Sequence, residues 1–129
     1  MKKALISNAS IFDGTGSKPF VGSLLIEGNR IKSVTKGTAK AATAVDSSID
    51  GSGMFLMPGM TEGHAHLSFE SVTSTEDIII PPPEEHTLLT ARIAKTLLDH
   101  GFTSAYGASE AKLRLGVAVR NEVDAGRLP

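Results

Sequence analysis

The chain has 129 residues, the length of one ordinary domain, and 13 Lys+Arg against 14 Asp+Glu give a net charge of −1. That balance leaves no basic face for nucleic acid and no block of like charge that would act as an interaction tail. Cysteine is absent, so disulfides, thiolate nucleophiles and thiolate metal sites are excluded, and a metal has to sit on imidazole and carboxylate.

Met1-Lys2-Lys3 followed by Ala4-Leu5-Ile6 starts like a signal peptide, but Ser7, Asn8, Ser10 and Asp13 interrupt the apolar run too soon. No apolar run approaches the roughly 20 residues needed to span a membrane. The expectation is a soluble cytoplasmic protein with no membrane or nucleic-acid partner.

Residues 3–57 predict short strands. Ala4 to Phe12 is closed by the turn Asp13-Gly14-Thr15-Gly16, where Asp-Gly is ordinary turn chemistry, and Asp13 is given no catalytic role. Val21 to Glu27, the pair Gly28-Asn29 and the alternating Arg30 to Thr35 predict a β-hairpin. Residues 37–44 carry little information and are expected to form a loop. Val45 to Ile49 and Met54 to Met57 each predict one more short strand.

After Pro58 the pattern changes. Met60 to Leu67 predicts a buried strand, and residues 69–83 a long connection ending in Ile78-Ile79-Ile80-Pro81-Pro82-Pro83. Pro83, Glu84 and Glu85 open a helix, because proline is tolerated in a first turn and acidic side chains suit its positive end. Leu89, Ile93 and Leu97, with Ala94 and Leu98, form one apolar stripe, and Gly101 is placed as the residue after the helix. Phe102 to Tyr106 predicts a strand. A second helix is expected from about Glu110 to Ala125, with Leu115, Val119 and Val123 as its stripe and Gly126 as its stop. Strands alternating with amphipathic helices indicate an α/β protein built of parallel βαβ units, with domain boundaries at 1–57 and 58–129. Two strands and two helices are too few for a closed barrel of about 250 residues, so the pattern reads as unfinished.

The chemistry concentrates in Pro58-Gly59-Met60-Thr61-Glu62-Gly63-His64-Ala65-His66-Leu67. Positions i and i+2 of a strand share a face, so His64 and His66 can hold one metal ion between them. A catalytic metal ordinarily has about three protein ligands, so this is part of a site. The other two histidines are placed elsewhere. His86, in the first turn of the first helix, is expected to be exposed. His100, in its last turn, is placed where the helix dipole favours a cation.

That segment resembles the first-strand signature of the amidohydrolase superfamily, Pro-Gly-x-x-Asp-x-His-x-His, with Glu62 in place of the usual Asp. Ile11 to Gly16 and Ile26 to Ile31 resemble the family's N-terminal β-sandwich. Gly101 to Gly107 resembles its second strand, and Arg120 to Pro129 the helix before its third. The set is most similar to the imidazolonepropionase-like and metal-dependent dipeptidase-like branch. The resemblance implies a small N-terminal β-sandwich portion (1–57), then the first β-α-β-α units of a (β/α)8 TIM barrel (58–129), incomplete in this chain. It implies His64 and His66 as ligands of one or two divalent ions, zinc first, that activate water to hydrolyse an amide, peptide or cyclic-amide C–N bond. The remaining ligands and the catalytic Asp and His would lie beyond Pro129, so the chain alone is expected to be inactive. Lys95 and Lys112 are both expected on helices and are set aside as bridging ligands. Phe69, Ile78, Ile79 and Ile80 are the expected lid or substrate contacts. The expected partners are a small-molecule substrate, the remainder of the barrel from a longer chain or second fragment, and further copies in a homo-oligomer.

Two other readings stand beside it. His64, His66 and Glu70 also resemble the metal motif of cupins, although Pro58 stands where that family has glycine and the two helices contradict a jelly roll. The third is a non-catalytic binding or scaffolding piece that needs a second chain.

Overall fold

A computed structural model describes residues 1–38, 44–70 and 72–129. Most of the loop expected at 37–44, residues 39–43, lies outside the described residues. The chain divides into two units, Met1–Pro58 and Gly59–Pro129.

In the first unit, strand β1 (Lys3–Ile11) pairs antiparallel with β2 (Phe20–Glu27), which turns at Gly28-Asn29 into antiparallel β3 (Arg30–Lys36). This is the hairpin the alternating pattern predicts. Strands β4 (Ser47–Asp50) and β5 (Phe55–Leu56) both run parallel to β1, so the sheet order is β3-β2-β1-β4 with β5 also on β1. The described residues of this unit form one sheet with a thin core of Ala9 and Ile11, while β3 is exposed throughout. Strand β1 carries a bulge between Ile6 and Ala9. Asn8 takes the left-handed conformation there at φ +59, which asparagine tolerates better than most residues, and its Nδ2 donates to Asp50 Oδ1 at 3.1 Å. Asp50 also accepts from the Ser52 hydroxyl and amide and from Asn8, and these bonds hold its carboxyl below the usual range.

In the second unit the order is β6 (Met60–Ala65), α1 (Thr75–Ile79), α2 (Pro83–Asp99), β7 (Phe102–Gly107) and α3 (Leu115–Asp124). Strands β6 and β7 are parallel, as a βαβ connection requires. The expected buried strand is corrected. In β6 only Ala65 is buried, because among the described residues the sheet has just two strands and most of its surface has no neighbour.

The connection 69–83, expected without regular structure, contains the short helix α1. Its start is set at Ser74, where the Asp77 carboxylate accepts from the Ser74 amide at 2.9 Å and the Thr73 amide at 2.8 Å. These bonds, led by the Thr73 amide, hold the Asp77 carboxyl below its ordinary value. The three prolines end α1, and Pro83 then opens α2. Helix α2 stops as predicted at Gly101, whose φ is +90, and His100 donates from Nδ1 to Thr96 O at 2.7 Å in the last turn.

Helix α3 begins at Leu115, later than the expected Glu110. The reason is a cap: Glu110 Oε1 accepts from the Gly116 amide at 2.8 Å, so Glu110 stays outside and covers the helix start. Leu115 and Val119 are buried as the stripe requires, whereas Val123 is 41% exposed.

Candidate metal centre

Strand β6 ends at Ala65, and the two histidines flank that buried alanine. The pleat sends Ala65 inward and both imidazoles to the other face, where they are exposed with ring centroids 4.9 Å apart and planes at 71°. The backbone before them is fixed locally, since the His64 amide donates to Glu62 Oε1 at 2.9 Å. Glu62, which stands where the resembled motif has Asp, therefore serves the main chain.

His66 is held on two further sides. Its ring stacks on Phe69 at 4.8 Å with 7° between planes, and the Phe69 amide donates to His66 O at 3.1 Å in a tight turn. Its Nδ1 lies 3.4 Å from the carbonyl oxygen of Ser109. A carbonyl only accepts, so this contact is a hydrogen bond only in the tautomer that carries the proton on Nδ1 and leaves the Nε2 lone pair free. The loops leaving β6 and β7 are tied together beside this contact. The Ala108 amide donates to Ala65 O at 2.9 Å, and the Ala111 amide donates to Ser68 Oγ at 2.8 Å. Ser68 is 1% exposed.

The donor chemistry fits a divalent ion as far as the pair reaches: two neighbouring imidazoles on one face, one with its outer nitrogen already engaged as ligating histidines require. Among the described residues no group of three or more His, Asp or Glu side chains could enclose an ion.

The other sequence candidates separate. The carboxylate of Glu70 is engaged by the guanidinium of Arg92 on α2, and β6 and β7 are parallel strands in a βαβ unit, so the cupin-like trio His64, His66, Glu70 is not formed. Ile79 and Ile80 are 64% and 75% exposed at the end of α1, and Ile78 is half-buried. Lys112 is corrected: it precedes α3 and its Nζ donates to Ile78 O at 3.0 Å and Ile79 O at 2.8 Å. Lys95 lies on α2, as expected, paired with Asp99 at 2.6 Å.

His86 is also corrected. It is buried, 2% exposed, not a surface residue. It shares the inward face of α2 with Thr90, one turn on, because positions four apart lie over one another on a helix. Among the described residues its Nδ1 has no hydrogen-bond partner, and its pKa is lowered, first by burial and then by the Lys112 charge, against a smaller raising effect of Glu85. The signal was present in the sequence: His86 falls in line with Thr90, Ile93 and Leu97 on the apolar stripe. Ser68 and Ser109 carry no such period, and no local signal marks them.

No protein-family model matches the sequence, and no curated protein matches it either. Solved structures do match its fold. A Xaa-Pro dipeptidase with bound methionine in its active site superposes with a TM-score of 0.83 at 20% identity, over 99% of this chain and 31% of that one. Molinate hydrolase gives 0.82 at 19% identity, over 99% of this chain and 28% of the other. An amidohydrolase structure gives 0.79 at 23% identity, over 98% and 29%. The chain thus has the fold of the N-terminal part of these hydrolases and spans about three tenths of their length.

Proposed function

We propose that this chain is the N-terminal portion of a metal-dependent amidohydrolase, in which His64 and His66 supply two ligands to a divalent ion. The observation that carries the reading is the pair itself, two exposed imidazoles 4.9 Å apart where β6 ends. When bound, the ion, zinc in the first instance, supplies the Lewis acidity that polarises a carbonyl and activates water near neutral pH. The bond cleaved is an amide, peptide or cyclic-amide C–N bond of a small molecule.

The chain's own residues bind and orient. His64 and His66 hold the ion, Phe69 backs the His66 ring, and Ile79 and Ile80 offer apolar surface on the segment that follows the metal strand. On this reading β6-α2-β7-α3 are the first two units of a (β/α)8 barrel, and the first unit is a layer of the N-terminal sandwich. Three facts support it. The strands are parallel, and β7 pairs only with β6 among the described residues. A cavity of about 590 Å³, lined by Leu97, Leu98, Phe102, Val117, Val119 and Val123, lies along α2, β7 and α3. The remaining ligands and the catalytic Asp and His would come from the rest of the barrel, in a longer chain or a second fragment, and the assembled enzyme is taken to be cytoplasmic and oligomeric. Among the described residues no helix is long and apolar enough to cross a membrane.

Zinc titration by calorimetry tests this. The chain should take up close to one equivalent of Zn²⁺, and His64→Asn with His66→Asn should abolish it, with no amide hydrolysis by the chain alone. Equal zinc uptake by the double variant removes the metal site. Turnover by this chain alone removes the incomplete-site reading.

A further inference from the structure

We propose that Ser68 is a positioning residue for His66, acting through the backbone carbonyl of Ser109 to hold the imidazole in the tautomer that leaves Nε2 free. The inference rests on the metal reading above and adds a residue to it. Ser68 is polar, 1% exposed, and lies two positions past the second histidine. Its hydroxyl accepts the amide hydrogen of Ala111 at 2.8 Å across 43 residues of sequence. That bond fixes the path of residues 109–111 beside the strand ends, and the Ala108 amide bonded to Ala65 O at 2.9 Å fixes the residue before them. Between these two ties the Ser109 carbonyl sits 3.4 Å from His66 Nδ1.

The consequence is chemical. A neutral imidazole with no partner populates both tautomers and favours the Nε2–H form, which puts the proton on the atom a metal needs. A carbonyl at Nδ1 reverses that preference before any ion arrives. The Phe69 face, 7° from parallel to the His66 ring, stops the imidazole from turning away from this acceptor. Ser109 acts through its main chain, so its side chain is free to vary, whereas the Ser68 hydroxyl is not.

The test is long-range ¹H–¹⁵N correlation NMR on the metal-free chain above pH 8, followed by Zn²⁺ affinity from competition with a chelator. The wild type and Ser109→Ala should show the Nδ1–H form of His66. Ser68→Ala should shift His66 toward Nε2–H and weaken Zn²⁺ binding about tenfold or more. Ser68→Thr, which keeps the hydroxyl, should restore both. An Nε2–H form in the wild type overturns the proposal, and so does a Ser68→Ala spectrum indistinguishable from wild type. Circular dichroism reports whether Ser68→Ala folds. If it does not, the wild-type and Ser68→Thr spectra decide on the same terms. The two readings fail separately: an Nδ1–H form without Zn²⁺ binding sinks the metal site and leaves the positioning role. Zn²⁺ binding with an Nε2–H form does the reverse.

Discussion

Lys112 Nζ donates to the carbonyl oxygens of both Ile78 and Ile79, at 3.0 and 2.8 Å, so an ammonium covers the end of helix α1. The last carbonyls of a helix have no intrahelical donor and carry partial negative charge, and a cation there serves both needs. Lys112→Met keeps the stem and removes the charge. It should cost about 1.5–2 kcal/mol, the lower part of the range for hydrogen bonds to a charged group. Hydrogen exchange should quicken at the Ile80 amide, which bonds to Glu76 O at 2.9 Å, while α3 amides keep their protection. Unchanged exchange at Ile80 would show that the three prolines hold α1 unaided.

His86 should contribute to the loss of stability in mild acid. Its folded pKa lies below the ordinary value of 6.5, chiefly through burial and then through Lys112. Below pH 6.5 the unfolded chain therefore binds a proton that the folded chain refuses. Stability from this group is complete above that pH and declines as pH falls toward the lowered folded value. The wild-type urea midpoint should drop between pH 7 and 5, and His86→Leu should flatten that drop. At pH 7.5 the variant should match or exceed the wild type, since it deletes a buried nitrogen that has no partner among the described residues.

Glu110 and Gly116 form a coupled pair, because a Cβ on Gly116 would collide with the carboxylate that caps α3. Glu110→Ala alone should cost about 1 kcal/mol, the usual value of a side-chain cap. Gly116→Ala alone displaces the cap but gains helix propensity worth up to about 1 kcal/mol, so the terms nearly cancel. In the Glu110→Ala background the same Gly116→Ala change should stabilise. A double-mutant cycle read by thermal unfolding checks the sign change; additivity would refute the coupling.

Gly59 meets Thr103 where β6 begins beside β7. A Cβ on Gly59 would fall inside the envelope of the Thr103 side chain, including its Cβ, and a branched carbon on a strand cannot swing aside. Gly59→Ala should cost about 1–3 kcal/mol by overpacking, and adding Thr103→Gly should recover most of the clash, less the loss from a glycine in a strand. Denaturant midpoints of the three variants are the measurement.

Much of the fold was legible because its signals are local. The Gly28-Asn29 hairpin, the Pro83 start and Gly101 stop of α2, and the parallel strands around it follow from period, turn chemistry and caps within a few residues. Where the structure departs from the local pattern, a side chain had a choice that the pattern does not settle. Asp77 turned back on the Thr73 and Ser74 amides and made α1. Glu110 capped a helix in place of joining it. His86 took the buried side of α2 although histidines are common on surfaces.

The sequence by itself determined the two-residue spacing of His64 and His66, and with the strand's pleat that spacing puts both rings on one face. It also determined that no cysteine competes with them as a ligand. Only the tertiary structure decided what surrounds the pair: the Ser109 carbonyl at Nδ1 and the Ser68 hydroxyl beneath it, both contacts spanning 43 residues, and the release of Glu70 to Arg92. The physical reason is that strand and helix period are properties of neighbours along the chain. A hydrogen-bond partner 43 residues away exists only once β6 and β7 lie side by side.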